Sequence, residues 1–286
     1  MTTLNAQPAI TAASPLPWLE VRTAHNPDFE TRLTKTPHPE NITLLRPFLL
    51  YSFTVTNAGQ ETIVALNIRF EVDTASGHTA IRNFFYQTFN QSDRPVMPPG
   101  KTLLFTGSPQ ADAIAGGSSK AKKAAGGGYG DHVKHGDGND GASPQVDPQA
   151  LQILSNAKAI RASIDLAITA DGRTAGANLS KVLEDLAQQQ QAYADLRQEA
   201  LFRAQNPSIT DSAIADWLRP LSEAKLILDP ATMRPDPYTM TQKNIALAWL
   251  GMITAGRRAE LTTRLSALTP EQSYLIVNKL KKGALQ

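Results

Sequence analysis

The chain of 286 residues contains no cysteine. Thiolate nucleophiles, cysteine-ligated zinc, iron–sulfur clusters and disulfides are thereby excluded. Charge imbalance is missing as well: 28 Lys plus Arg stand against 26 Asp plus Glu, a formal charge of +2. A dedicated nucleic-acid binder shows a strongly basic face or domain, so nucleic acid is not the expected partner. Long apolar runs are also absent. The best candidate, Ile245 to Gly256, spans 12 residues between Lys243 and Arg257–Arg258, short of the ~20 that a spanning helix needs. A buried helix is expected there, and no transmembrane segment. The opening MTTLNAQPAITAASPLPWLE carries neither a basic n-region nor a continuous apolar h-region, so it does not read as a signal peptide. The expected location is the cell envelope or extracellular space if a leader has been removed, and the cytoplasm otherwise. There is no G-x-S-x-G elbow, H-E-x-x-H pair or Walker loop.

What is present is enough for folded cores. Hydrophobic residues make up 41% and charged ones 19%, too apolar for a wholly disordered chain. The length is near twice the ~150 residues of a typical domain, so one or two domains are expected.

Three regimes follow one another along the chain. From residue 18 to about 110, apolar and polar residues alternate with period two. Leu49, Tyr51, Phe53 and Val55 alternate before an Asn57–Gly59 turn, and Val64, Leu66, Ile68 and Phe70 repeat the pattern. IRNFFYQTF and KTLLFTG read as further strands. Residues 111–148 form a glycine-rich stretch holding nine of the chain's 18 glycines between Gly116 and Gly141. Such a segment buries too little apolar surface to offset its ordering entropy, so a mobile surface insertion is expected. Ile164, Leu166 and Ile168 then restore the alternation before an Asp171–Gly172 hairpin signal.

From Asn178 the period becomes helical. Leu179, Val182, Leu183, Leu186, Tyr193 and Leu196 form one apolar stripe, ended by Asn206–Pro207. Asp211 is the expected cap of a second helix. A third is expected from about Thr239 to Leu268, with a bend at Gly256. Thr269, Pro270 and Gln272 open a fourth, closed by Gly283 after Lys279, Lys281 and Lys282.

The segment FTVTNAGQETIVALNIRFEVDTASG, followed by the VMPPGK turn, resembles immunoglobulin-like modules of bacterial envelope and extracellular proteins. In these a V-x-N-x-G turn joins two central strands and a Pro-Gly turn precedes another. The hairpin IDLAITADGRTAG is similar to their closing strand pair. The resemblance covers residues 18–176 and implies a fold; it carries no catalytic residue across.

Candidate site residues concentrate in YGDHVKHGDGNDG. There His132 and His135, with Asp137 and Asp140, are candidate ligands for a divalent transition metal. The competing reading is a solvated loop, since ordering so many glycines opposes ion binding. Calcium fails on spacing, because an EF-hand counted from Asp137 meets Gly141 and Pro148 at ligand positions. Ser155–Lys158 and Ser222–Lys225 match Ser-x-x-Lys, but the partner elements Ser-Asp-Asn and Lys-Thr-Gly are absent. Trp217, Trp249, Tyr193 and Tyr274 read as helical core.

The expected architecture is therefore α+β. An N-terminal extension (1–17) precedes an immunoglobulin-like antiparallel β-sandwich (18–176) with its insertion. A C-terminal helical domain (177–286) follows, a bundle of about four helices. The leading functional reading is a non-catalytic structural or protein-interaction module, with no cofactor and with a protein partner or a homo-oligomeric contact. Two alternatives stand beside it: a metal-dependent hydrolase using the His132/His135 loop, and a carbohydrate-binding surface adhesin.

Overall fold

The computed structural model describes residues 10–87, 96–108, 111–112, 115, 148–228 and 234–267. Among them the chain is mixed α+β, with two sheets and seven α-helices. It divides into two compact units between Ser180 and Lys181.

The first unit holds both sheets. One has the order β1 (Ile10–Ala13), β7 (Ala159–Thr169), β4 (Ile63–Asp73), β5 (Thr79–Gln87), with β8 (Thr174–Ala175) also on β7. The other has the order β2 (Leu19–Thr23), β3 (Phe53–Asn57), β6 (Thr102–Phe105). Strands on either side of the glycine-rich stretch are thus direct neighbours: Ile68 of β4 pairs with Ile164 of β7. Among the described strands the pairings are antiparallel except β1 with β7, which is parallel and departs from the all-antiparallel expectation.

Both sheets feed one hydrophobic cluster. Leu19, Phe53, Val55 and Phe105 meet Leu66, Ile68, Phe70, Ile160 and Ile164 in it. Phe53 bridges the sheets, with its ring 5.6 Å from Phe70 and 5.5 Å from Phe105. Fully burying a side chain of this size contributes about 1.5–3 kcal/mol, which makes such residues the main support of the unit.

Two turns anticipated from sequence dock on each other. Asn57 Nδ2 donates to the Glu61 and Met97 carbonyls, and its own carbonyl accepts from Gly100 N at 2.7 Å. Gly59 lies against Trp18, where a Cβ would stand 2.7 Å from the indole. The expected strand from Leu49 begins only at Phe53. Residues Arg46–Tyr51 form a 3-10 helix instead. Leu45, Phe48 and Tyr51 are buried at a spacing of three, which suits a 3-10 turn and not a strand. Short helices α1 (Phe29–Leu33), α2 (Ile42–Leu45) and α3 (Pro148–Ser155) also belong to the unit. In α3, Ala150 and Leu154, four apart, enter the same core.

The second unit contains α4 (Val182–Gln205), α5 (Asp211–Ser222), α6 (Pro237–Thr254) and α7 (Arg258–Ala267). Tyr193, Leu196, Ile214, Leu218, Trp249, Ile253, Leu261 and Leu265 form its core. Trp217 packs against that core, so Tyr193, Trp217 and Trp249 sit where helical spacing put them, while Tyr274 lies outside the described residues. Three expectations are corrected. Leu179 lies outside α4 and is 62% exposed, because the chain turns through positive φ at Asn178 and Lys181 before the helix begins. Thr210, not Asp211, caps α5, accepting from Ala213 N at 3.2 Å. The expected long third helix is two helices, parted where Gly256 takes φ +70°. The expected helix from Thr269 lies outside the described residues.

Candidate functional site

The proposed metal ligands His132, His135, Asp137 and Asp140 lie outside the described residues. Among the described residues no group of three His, Asp or Glu is placed to hold a metal ion. The Ser-x-x-Lys pairs are engaged locally. Ser155 Oγ donates to the Gln152 carbonyl at 3.1 Å, and Ser222 Oγ donates to the Arg219 carbonyl at 2.8 Å. Both are helix back-bonds of the kind serine makes near a helix end. Lys158 lies beside Asp73 and helps hold that carboxyl below its ordinary range, after Arg161 and Thr79. His25 and His78 are exposed, and His38 contacts Glu40 at 3.0 Å.

The most perturbed carboxyl among the described residues is Asp112. β5 supplies Tyr86, and the turn after β6 supplies Thr106. Asp112 Oδ1 accepts from Thr106 N at 2.6 Å and Thr106 Oγ1 at 2.7 Å, and Oδ2 accepts from Tyr86 OH at 2.9 Å. Desolvation dominates and pushes the Asp112 carboxyl up to about 6, against the opposing pull of these three donors. Burial and the neighbouring carboxylate together push the Tyr86 hydroxyl up. A carboxyl titrating near neutrality has the pKa that acid–base chemistry uses. Here its oxygens are occupied by donors that belong to the fold, which gives it a structural task between the sheets. Sequence reasoning missed it, because an isolated Asp beside a glycine-rich stretch carries no local sign of burial.

In the helical unit, Asp195, Gln198, Glu199 and Phe202 line an open groove of about 420 Å³ on α4. They fall at spacings of three, four and seven, on one helix face. Phe202 is 58% exposed, the one aromatic among the exposed large apolar residues of the described chain. Asp195 accepts from Gln191 Nε2 and from Tyr238 OH, both at 2.7 Å. That hydrogen bond is the main reason the Tyr238 hydroxyl is raised. Glu199 pairs with Arg203, whose guanidinium lies 5.0 Å from the Trp217 ring centre. The groove combines an apolar aromatic face with two carboxylates. Its sequence signal was a phenylalanine on the polar side of the α4 stripe.

No family model, curated protein or solved structure matches this chain.

Proposed function

We propose that the chain is a non-catalytic structural or protein-interaction module. On this reading an immunoglobulin-like β-sandwich is joined to a bundle of four helices, as in a bacterial envelope or extracellular assembly. The observation that supports it is Phe202, an exposed aromatic that shares the groove on α4 with Asp195 and Glu199. Aromatic anchors at the centre of a patch carry a large share of association energy, and flanking carboxylates select a basic partner. The occupant we assign is a second copy of this chain. Its sequence from Tyr274 to Lys282 carries Leu275, Ile276, Val277 and Leu280 beside Lys279, Lys281 and Lys282, apolar and basic side chains that suit Phe202 and the Asp195 carboxylate.

Sedimentation velocity over micromolar to millimolar concentration tests this. The expected result is a defined oligomer whose dissociation constant rises roughly thirtyfold in F202A, the loss of a hot-spot side chain. Phe202 is exposed, so the variant keeps the fold. A monodisperse monomer throughout that range, or an oligomer indifferent to F202A, contradicts the proposal.

A further inference from the structure

The groove on α4 presents four side chains, Asp195, Gln198, Glu199 and Phe202. Its first carboxylate and its aromatic lie seven residues apart, about 10 Å along the helix axis. The two carboxylates differ in what holds them. Glu199 is paired with the Arg203 guanidinium, itself placed over the Trp217 ring, so its charge is matched from within α4. Asp195 takes hydrogen bonds from the Gln191 amide and, from α6, the Tyr238 hydroxyl, and both donors are uncharged. Asp195 therefore carries the charge that a partner meets, and Tyr238 fixes its place.

The C-terminal sequence offers the matching pattern. Thr269, Pro270 and Gln272 predict a helix that runs to Gly283. On a helical period Tyr274, Val277, Asn278 and Lys281 share one face, at the same spacings of three, four and seven. An amphipathic helix docks in a groove through anchors spaced in this way. In this stripe the aromatic comes first and the cation last, whereas on α4 the carboxylate comes first and the aromatic last. Only an antiparallel approach brings Tyr274 to Phe202 and Lys281 to Asp195 together; a parallel one sets Lys281 beside Phe202. The adjacent stripe, Leu275, Asn278, Lys279 and Lys282, has the same spacing. It puts Lys279 at the middle of the groove, where the Glu199 charge is already matched, and gives up the aromatic pair.

We propose that Asp195 and Phe202 read a second copy of this chain in one register, antiparallel, with Lys281 of that copy on Asp195 and its Tyr274 on Phe202. This rests on the self-association proposed above and goes beyond it by fixing direction and pairing. In the same register Asn278 faces Gln198 and Val277 faces Glu199. A two-fold assembly makes each pairing twice, once from each chain, so one substitution acts at two places. Matched charges of this kind set register and reject wrong alignments more than they add affinity.

The test is charge exchange in the full chain, read by sedimentation velocity. D195K and K281E are each expected to raise the dissociation constant roughly tenfold, and D195K/K281E to return it to within about threefold of native. D195K/K279E and D195K/K282E are expected to stay weak. Single reversals without effect, no recovery in D195K/K281E, or equal recovery with K279E or K282E overturns the register, while the self-association itself stands as long as F202A weakens it. Indifference to F202A overturns both. A second measurement is independent of Asp195 and uses the lack of native cysteine. Q198C/N278C, oxidised at a concentration where the native chain associates, is expected to give a disulfide-linked dimer on a non-reducing gel. A disulfide closed within one chain, or none, overturns the proposal, and this measurement decides should D195K fail to fold.

Discussion

Arg258 sits at the start of α7 and directs its whole guanidinium at one neighbourhood. Nε donates to the Ala204 carbonyl at 2.9 Å, and Nη2 donates to those of Arg203 and Asn206 at 2.9 and 2.6 Å. Nη1 reaches the Ile209 carbonyl at 2.6 Å and Asp211 at 3.2 Å. The last carbonyls of α4 have no partner within the helix, so this one side chain satisfies what the helix end leaves open. A fork of five donors in fixed geometry suits the task, whereas an ammonium has three donors. R258A is expected to lower stability by about 3 kcal/mol, with R258K recovering only part. Urea unfolding followed by helical circular dichroism checks this. Two variants within about 0.5 kcal/mol of the native chain would contradict it, being in the range of an ordinary surface change.

At the scale of the element, β7 carries the feature that alternation alone could not reveal. Asn67 pairs with Leu166 while its neighbour Ile68 pairs with Ile164, leaving Asp165 as an extra residue. The bulge switches the faces. Ile164 and Ala167 enter the core shared by the sheets, whereas Leu166 and Ile168 are buried on the opposite face. Strict alternation places Ile164, Leu166 and Ile168 on one face, because a polar residue inside an apolar strand looks the same whether it alternates or bulges. Asp165 then gathers the chain leaving β8. Its carboxylate accepts from Asn67 Nδ2 at 3.0 Å, Leu179 N at 2.8 Å and Ser180 N at 3.0 Å. Gly176 makes the approach possible: its φ is +115°, and a Cβ there would stand 2.2 Å from the Asp165 carbonyl oxygen. G176A is expected to cost at least about 2 kcal/mol by chemical denaturation. Gly77, also at positive φ but with open space around it, isolates the backbone contribution, and G77A should cost only about 1 kcal/mol. Equal effects of the two substitutions would show that the contact with Asp165 is unimportant. Other elements were legible because their signals are local. The Asn57 turn, the Asp171–Gly172 hairpin and the Gly256 break each rest on residues whose backbone preference is intrinsic. β1 was not, since ITAA holds one large apolar residue and its partner lies far along the chain. Nor was Asp112, whose hydrogen-bond donor Tyr86 lies 26 residues away.

At the scale of the whole molecule, the β unit is closed by chain that follows the glycine-rich stretch. Lys158 N donates to the Asp73 carbonyl at 2.7 Å, and from there β4 and β7 pair along the length of both strands to Ile63 and Thr169. The central claim is that these two strands form one cooperative body with a common interior, and are not parts of separate domains. Neither can open without breaking the other's ladder, so their amides should share one opening free energy. Native-state hydrogen exchange read on peptides covering residues 63–73 and 159–169 measures this most directly. The account predicts that both segments lose protection together over the same range of added urea. Release of 159–169 at lower urea, with 63–73 still protected, would contradict it.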